Sequence, residues 1–167
     1  MTRRTGLLAV GLVARVGLAA VWLVSGWIKA VDPLQTVVAV RAYQLLPEAA
    51  VVPVASLLPF LEIALGLLLL AGVGVRLTAV VSAVVLVAFV VGVGAAWARG
   101  LSIDCGCFGG GGAADVGPLD YATEIGRDLV FLAGAAWLAV RPRTPFALGP
   151  GSNESLTPRT DPILERA

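Results

Sequence analysis

Histidine is absent from this 167-residue chain, charged residues are scarce at 14%, and there are two cysteines. Each shortage excludes something. Without histidine, Ser-His-Asp hydrolysis, histidine-ligated haem and most metal catalysis are removed from within the chain. Structural zinc takes four ligands, usually Cys and His. Two cysteines leave only a site shared across a dimer or a low-coordinate soft ion such as Cu(I), so no metal ligands are assigned. A net charge of +1 without a basic run provides no electrostatic footprint for nucleic acid, which is excluded as a partner. In place of charge there is 58% hydrophobic residues and a mean hydropathy of +0.91. That is too apolar for a soluble domain and the chain is too short for two, which implies one domain embedded in a lipid bilayer.

Four apolar stretches, residues 7–27, 49–72, 76–97 and 121–140, each approach the twenty or so residues that cross a hydrocarbon core of about 30 Å. They predict an all-α polytopic membrane protein, a four-transmembrane-helix bundle over residues 1–142. The first stretch competes with a secretory signal. It is longer than an h-region, Arg15 interrupts it and no A-x-A cleavage site follows, so it reads as a retained span. Trp22 and Trp27 lie toward its outer end, where indole rings favour the interface. Asp32 is placed to cap a helix opening on Pro33 and ended by Pro47. Leu34, Val37, Val38 and Leu45 recur there at helical spacing, which predicts a short interfacial helix between the first and second spans. In the third span Ala88, Gly92 and Ala96 form a smooth ridge for close helix packing. The fourth is the weakest, because its cleanly apolar part, 129–140, is half a crossing and the helix must begin near Tyr121.

From Pro142 onward the chain is rich in Pro, Gly, Ser, Thr and charge, and residues 143–167 are predicted to be a disordered tail. With four crossings both termini share one side. That side holds Arg3, Arg4, Arg76, Arg141 and Arg143, against Lys29, Arg41 and Arg99 opposite. The excess places both termini in the cytoplasm and the loop 99–118 outside the plasma membrane.

That loop carries both cysteines as Asp104-Cys105-Gly106-Cys107-Phe108-Gly109, followed by further glycines. A thiol pair one residue apart has a dithiol and a disulfide state, and the second thiol can resolve a mixed disulfide formed by the first. A bridge needs α-carbons within about 7 Å, and the intervening glycine lets the chain fold inward. Two cysteines that simply pack are the plainer reading, and the flexible glycine run beside them favours redox work. An extracytoplasmic setting is also where disulfides persist. Arg127, toward the outer face, is placed to favour a thiolate, with Asp104 acting the other way. Cys105, Cys107 and Arg127 are therefore the candidate catalytic residues.

Two charges fall inside the spans. At about 1.5 Å per residue, Arg15 lies about 12 Å in from Leu7 and Glu62 about 15 Å in from Gly72. Similar depths on antiparallel helices predict an Arg15–Glu62 intramembrane ion pair, either fixing helix register or serving a proton or quinone site.

These residues together carry a resemblance. Arg15 with Ser25-Gly26-Trp27-Ile28-Lys29, then Asp32-Pro33, Tyr43-Gln44-Leu45-Leu46-Pro47, Glu62 with Gly66, Cys105-Gly106-Cys107-Phe108-Gly109 and Arg127 resemble the MauE family of methylamine-utilisation membrane proteins, within the wider DoxX-like four-helix group. Asp128 stands where the family has Asn, and the tail after Pro142 has no counterpart in it. The resemblance implies a role in making or stabilising a periplasmic amine dehydrogenase whose small subunit is rich in disulfides, by supporting their formation.

The combined expectation is a membrane thiol-disulfide redox protein. Its CxC pair passes electrons between an extracytoplasmic thiol-disulfide protein or disulfide-rich client and an acceptor, either a second redox protein or a membrane quinone. One rival is a non-enzymatic scaffold or assembly subunit whose CxC is a static clip. Another is a small-molecule or metal-ion carrier built on Arg15 and Glu62.

Overall fold

The computed structural model describes residues 3–104, 106 and 110–148, with side chains from Gly6 onward. Its frame is five helices, α1 (Arg3–Val31), α2 (Pro33–Ala42), α3 (Glu48–Ala71), α4 (Val75–Ala98) and α5 (Pro118–Val140), with a ribbon of β1 (Ile103–Asp104) and β2 (Gly112–Ala113) between α4 and α5. Three helical stretches, Gly6–Val31, Glu48–Ala71 and Val75–Ala98, are long and apolar enough to cross a membrane. The large apolar side chains they turn outward, Val13, Leu57, Leu77 and Val91 among them, would be a liability in water and are ordinary against lipid.

The helices pack chiefly as two pairs, α1 on α3 and α4 on α5, with α5 also against α1. Absent side chains decide how closely the first pair approaches. A Cβ on Gly26 of α1 would lie 2.9 Å from the Pro59 carbonyl oxygen, and one on Gly66 of α3 would lie 2.7 Å from Leu23 Cγ. Small residues at such crossings let two backbones come together where no hydrophobic effect drives them. The core then gathers Leu18, Trp22, Leu65, Leu69, Leu86 and Leu138. Trp22 is not at an interface, as its position near the end of the first apolar run implied. It is buried, its indole N–H donating to Ser82 Oγ at 3.0 Å, which satisfies the one polar group that would resist burial. Trp27 does point outward.

Asp32 caps α2 as its position implied, its Oδ1 accepting from Gln35 N at 3.0 Å with Pro33 at the first helical turn. The helix stops at Ala42, earlier than Pro47, because Gln44 turns to a positive φ of 51°. Its buried face is the small one, Thr36 and Ala39, while Leu34 and Val38 point out. Arg99, just past α4, donates to the carbonyls of Tyr43 and Gln44 and holds this connection over the end of that helix.

The ridge on α4 divides. Ala96 and Gly92 are buried, and Gly92 faces the Tyr43 ring and Leu45 instead of another spanning helix; Ala88 is exposed. The start of the presumed disordered tail is also corrected. Thr144, Pro145 and Ala147 are buried, and Leu148 N donates to the Ala71 carbonyl at 3.3 Å. Apolar contacts to the bundle end, which composition does not reveal, order residues 143–148. The rest of the tail, from residue 149, lies outside the described residues.

Candidate functional site

The predicted Arg15–Glu62 pair does not form. The register set by Gly26 and Gly66 brings Arg15 level with Gly72, at the far end of α3, where a Cβ on that glycine would lie 2.6 Å from Arg15 Nη1. Gly72 is ten residues beyond Glu62, about 15 Å along a helix. Depths counted from the ends of apolar runs failed because Leu7 and Gly72 are not level: Arg15, eight residues further along α1, is the residue beside Gly72. Arg15 is nonetheless buried, and its Nη1 donates to Thr144 Oγ1 at 2.9 Å.

Glu62 pairs with Lys29. The ammonium donates to both carboxylate oxygens, each at 3.0 Å, and also to Ser25 Oγ one turn back on α1. Glu62 is fully buried and Lys29 nearly so. A buried pair survives only where geometry is good and the remaining donors are satisfied, and here Ser25 supplies the extra acceptor. The Phe89 ring centroid lies 6.0 Å from the ammonium. Lys29 read from sequence as a charge in a connection; the signal available was Ser25 and Lys29 four apart on one helix face, aligned with a lone intramembrane glutamate. Asp128 is a further buried carboxylate within electrostatic reach of Lys29. Arg127 Nε and Nη2 reach its Oδ1 at 3.2 Å, while Oδ2 has no partner among the described residues.

Around the cysteines, Cys105, Cys107, Phe108 and Gly109 lie outside the described residues, and the frame that flanks them does not. Ile103 pairs with Ala113 and Asp104 with Gly112 in the antiparallel ribbon. Tyr121, in the first turn of α5, accepts from Ile103 N at 3.1 Å and donates to the Leu101 carbonyl, and its ring stacks on Trp97 with centroids 6.0 Å apart. Gly106, between the two cysteines in sequence, has φ +68°, and its N–H donates to Asp104 Oδ1 at 3.1 Å. A side chain there would be strained by that φ and would lie 2.9 Å from Ala39 Cβ on α2. Gln35 ties the glycine run to the same helix, Nε2 donating to Gly110 O at 3.0 Å and Gly111 O at 2.6 Å. The clamping roles of Gln35 and Tyr121 are not legible in the sequence, because each acts on backbone 18 or more residues away.

Beneath this frame is a cavity of about 480 Å3. Its polar end is formed by Lys29, Asp32, Gln35 and Thr36 with Gly106 and Gly110, and its apolar walls by α3 and α4. Outside the spans, Arg41 of α2 pairs with Glu48 at 2.5 Å, and that hydrogen bond, then the charge, raises the arginine pKa.

Compared with known proteins, no curated protein and no solved structure matches the chain. Residues 7–141 match the family described as methylamine utilisation protein MauE. That stretch holds all five helices apart from the first turn of α1, and the ribbon between α4 and α5. With its three long apolar helices, the chain belongs to the MauE family of membrane proteins.

Proposed function

We propose that this chain is a membrane thiol-disulfide redox protein whose Cys105 and Cys107 exchange with an extracytoplasmic client, supporting disulfide formation during maturation of an amine-dehydrogenase-type protein. The observation that carries the reading is the backbone frame around the pair. The glycine between the cysteines sits at positive φ, braced by Asp104, Ala39 and Gln35, and a clamped ribbon stands before and after. Frames that hold a thiol pair while leaving its bonding state free suit exchange. α5 is the fourth crossing in this reading, supported by its 23 residues and its outward Leu119, Val130 and Val140. In this reading α2 lies in the interface, supported by its outward Leu34 and Val38. Arg127 assists thiolate formation from the amino-terminal half of α5, and the excess of Lys and Arg on the terminal side supports a cytoplasmic location of the termini.

The test replaces Cys105 and Cys107 singly by Ser. One variant accumulates a mixed disulfide, since the resolving thiol is gone and the intermediate has no intramolecular exit, and mass spectrometry identifies the trapped partner. If neither variant traps a partner and the double Ser variant supports full function in cells, the pair is a static clip and the chain a scaffold.

A further inference from the structure

The cavity below the cysteine loop has walls and charges that select among occupants. α3 and α4 are joined by a short turn at Gly72–Gly74, yet they touch far less than α1 and α3 do. The gap between them is lined by Val54, Leu58 and Leu61 on one side and Val84, Val85 and Ala88 on the other. Val84 is 64% exposed, so the cavity opens sideways, where hydrocarbon chains lie. At the other end the polar groups carry no net positive charge: Lys29 is neutralised by Glu62, and Asp32 adds a carboxylate. A phosphate headgroup finds no countercharge there and meets repulsion from Asp32. Phe89, also in the lining, offers an aromatic face near that end, 6.0 Å from the Lys29 ammonium, and about 480 Å3 is within the usual size of a site for a ring-sized ligand.

We propose that this cavity is the binding site of a prenylated quinone, with the ring at the Lys29 and Gly106 end and the tail leaving between α3 and α4. The proposal rests on the thiol-disulfide reading for the quinone's role. When the Cys105–Cys107 dithiol closes to a disulfide, two electrons and two protons leave the sulfurs, and the quinone accepts both to become the quinol. The disulfide so regenerated is then available to oxidise the client. Phe89, in the wall, has its ring centroid 6.3 Å from Trp22, which gives binding an optical reporter.

The experiment titrates decylubiquinone into the purified full-length chain in phosphatidylcholine nanodiscs and follows quenching of tryptophan fluorescence. Saturable binding of one quinone per chain is expected. Ala88→Phe and, separately, Leu58→Phe fill the cavity and should weaken binding about tenfold or more, while Val91→Phe, on the outward face of α4 and 62% exposed, should not. If the cavity-filling variants misfold, an azidoquinone on the parent chain decides: crosslinks to α2, α3 or α4 residues of the lining support the site, and crosslinks elsewhere overturn it. Absence of saturable binding, parental affinity in both folded filling variants, or equal competition by phosphatidylglycerol would also overturn it. The redox role is read separately, by loss of quinone absorbance when the reduced parent chain, but not the double Ser variant, is mixed with decylubiquinone. Binding without that loss overturns the quinone's role as oxidant and leaves the site. A trapped mixed disulfide without quinone binding overturns the site and leaves the thiol reading.

Discussion

Lys29 of α1 donates to both carboxylate oxygens of Glu62 on α3, each at 3.0 Å, with the carboxylate fully buried. Removing one partner strands the other charge. Glu62→Gln should destabilise the protein by about 3 kcal/mol, and Lys29→Met with Glu62→Leu together should recover most of that. Denaturation in detergent measures both. The Arg15→Met and Glu62→Gln pair should be additive, since the two groups sit at different levels of the bundle; a coupling above about 0.5 kcal/mol would contradict the register described above.

The α1–α3 crossing should tolerate no side chain at Gly66. A Cβ there would lie 2.7 Å from Leu23 Cγ and 3.1 Å from the Ala19 carbonyl oxygen. Gly66→Val should therefore cost about 1 to 3 kcal/mol through forced separation of the helices. Gly94, whose Cβ would meet nothing within 4 Å, is the control. Gly94→Ala should unfold at the parental denaturant concentration or slightly above it.

Tyr121 holds the ribbon through one hydroxyl, accepting from Ile103 N and donating to the Leu101 carbonyl. Tyr121→Phe keeps the stack on Trp97 and loses the polar clamp, leaving buried backbone groups unpaired at about 1 to 3 kcal/mol. Hydrogen exchange at the Ile103 amide should quicken about tenfold or more, while exchange along α3 stays as in the parent. Uniform acceleration would mean that the hydroxyl supports the whole bundle.

Thr144→Val should release residues 143–148 from the bundle end. Arg15 loses the acceptor at 2.9 Å, a charge-assisted bond whose loss costs about 1.5 to 3 kcal/mol. Limited proteolysis should then cut near Phe146, which the parent resists. Equal resistance in both would show that Ala147 and the Leu148 backbone bond to Ala71 suffice.

The orientation is testable because the chain has two cysteines, both in the CxC. A membrane-impermeant maleimide applied to intact, reduced cells should label them. Labelling only after the inner face is opened would place the loop in the cytoplasm and deprive disulfide exchange of its compartment.

Hydropathy by itself determined that this is a helical membrane protein, because about twenty apolar residues in succession have one inexpensive home. Local chemistry likewise announced the Asp32 cap before Pro33, since a cap and its helix are neighbours in the chain. The Cys105-Gly106-Cys107 motif and the family were legible for the same reason: they are contiguous or ordered along the sequence. Partner choice among the buried charges was not. Depth along the apolar runs matched Arg15 to Glu62 and left Lys29 in a connection, and the actual choice fell to Gly26 and Gly66, whose missing side chains set how α1 slides on α3. Only the tertiary structure turned Trp22 inward to Ser82 and folded Thr144 back onto Arg15. It also left α3 and α4 apart to make a cavity, because packing is decided by the shapes of surfaces that meet across long stretches of chain, and no local pattern records which surfaces those are.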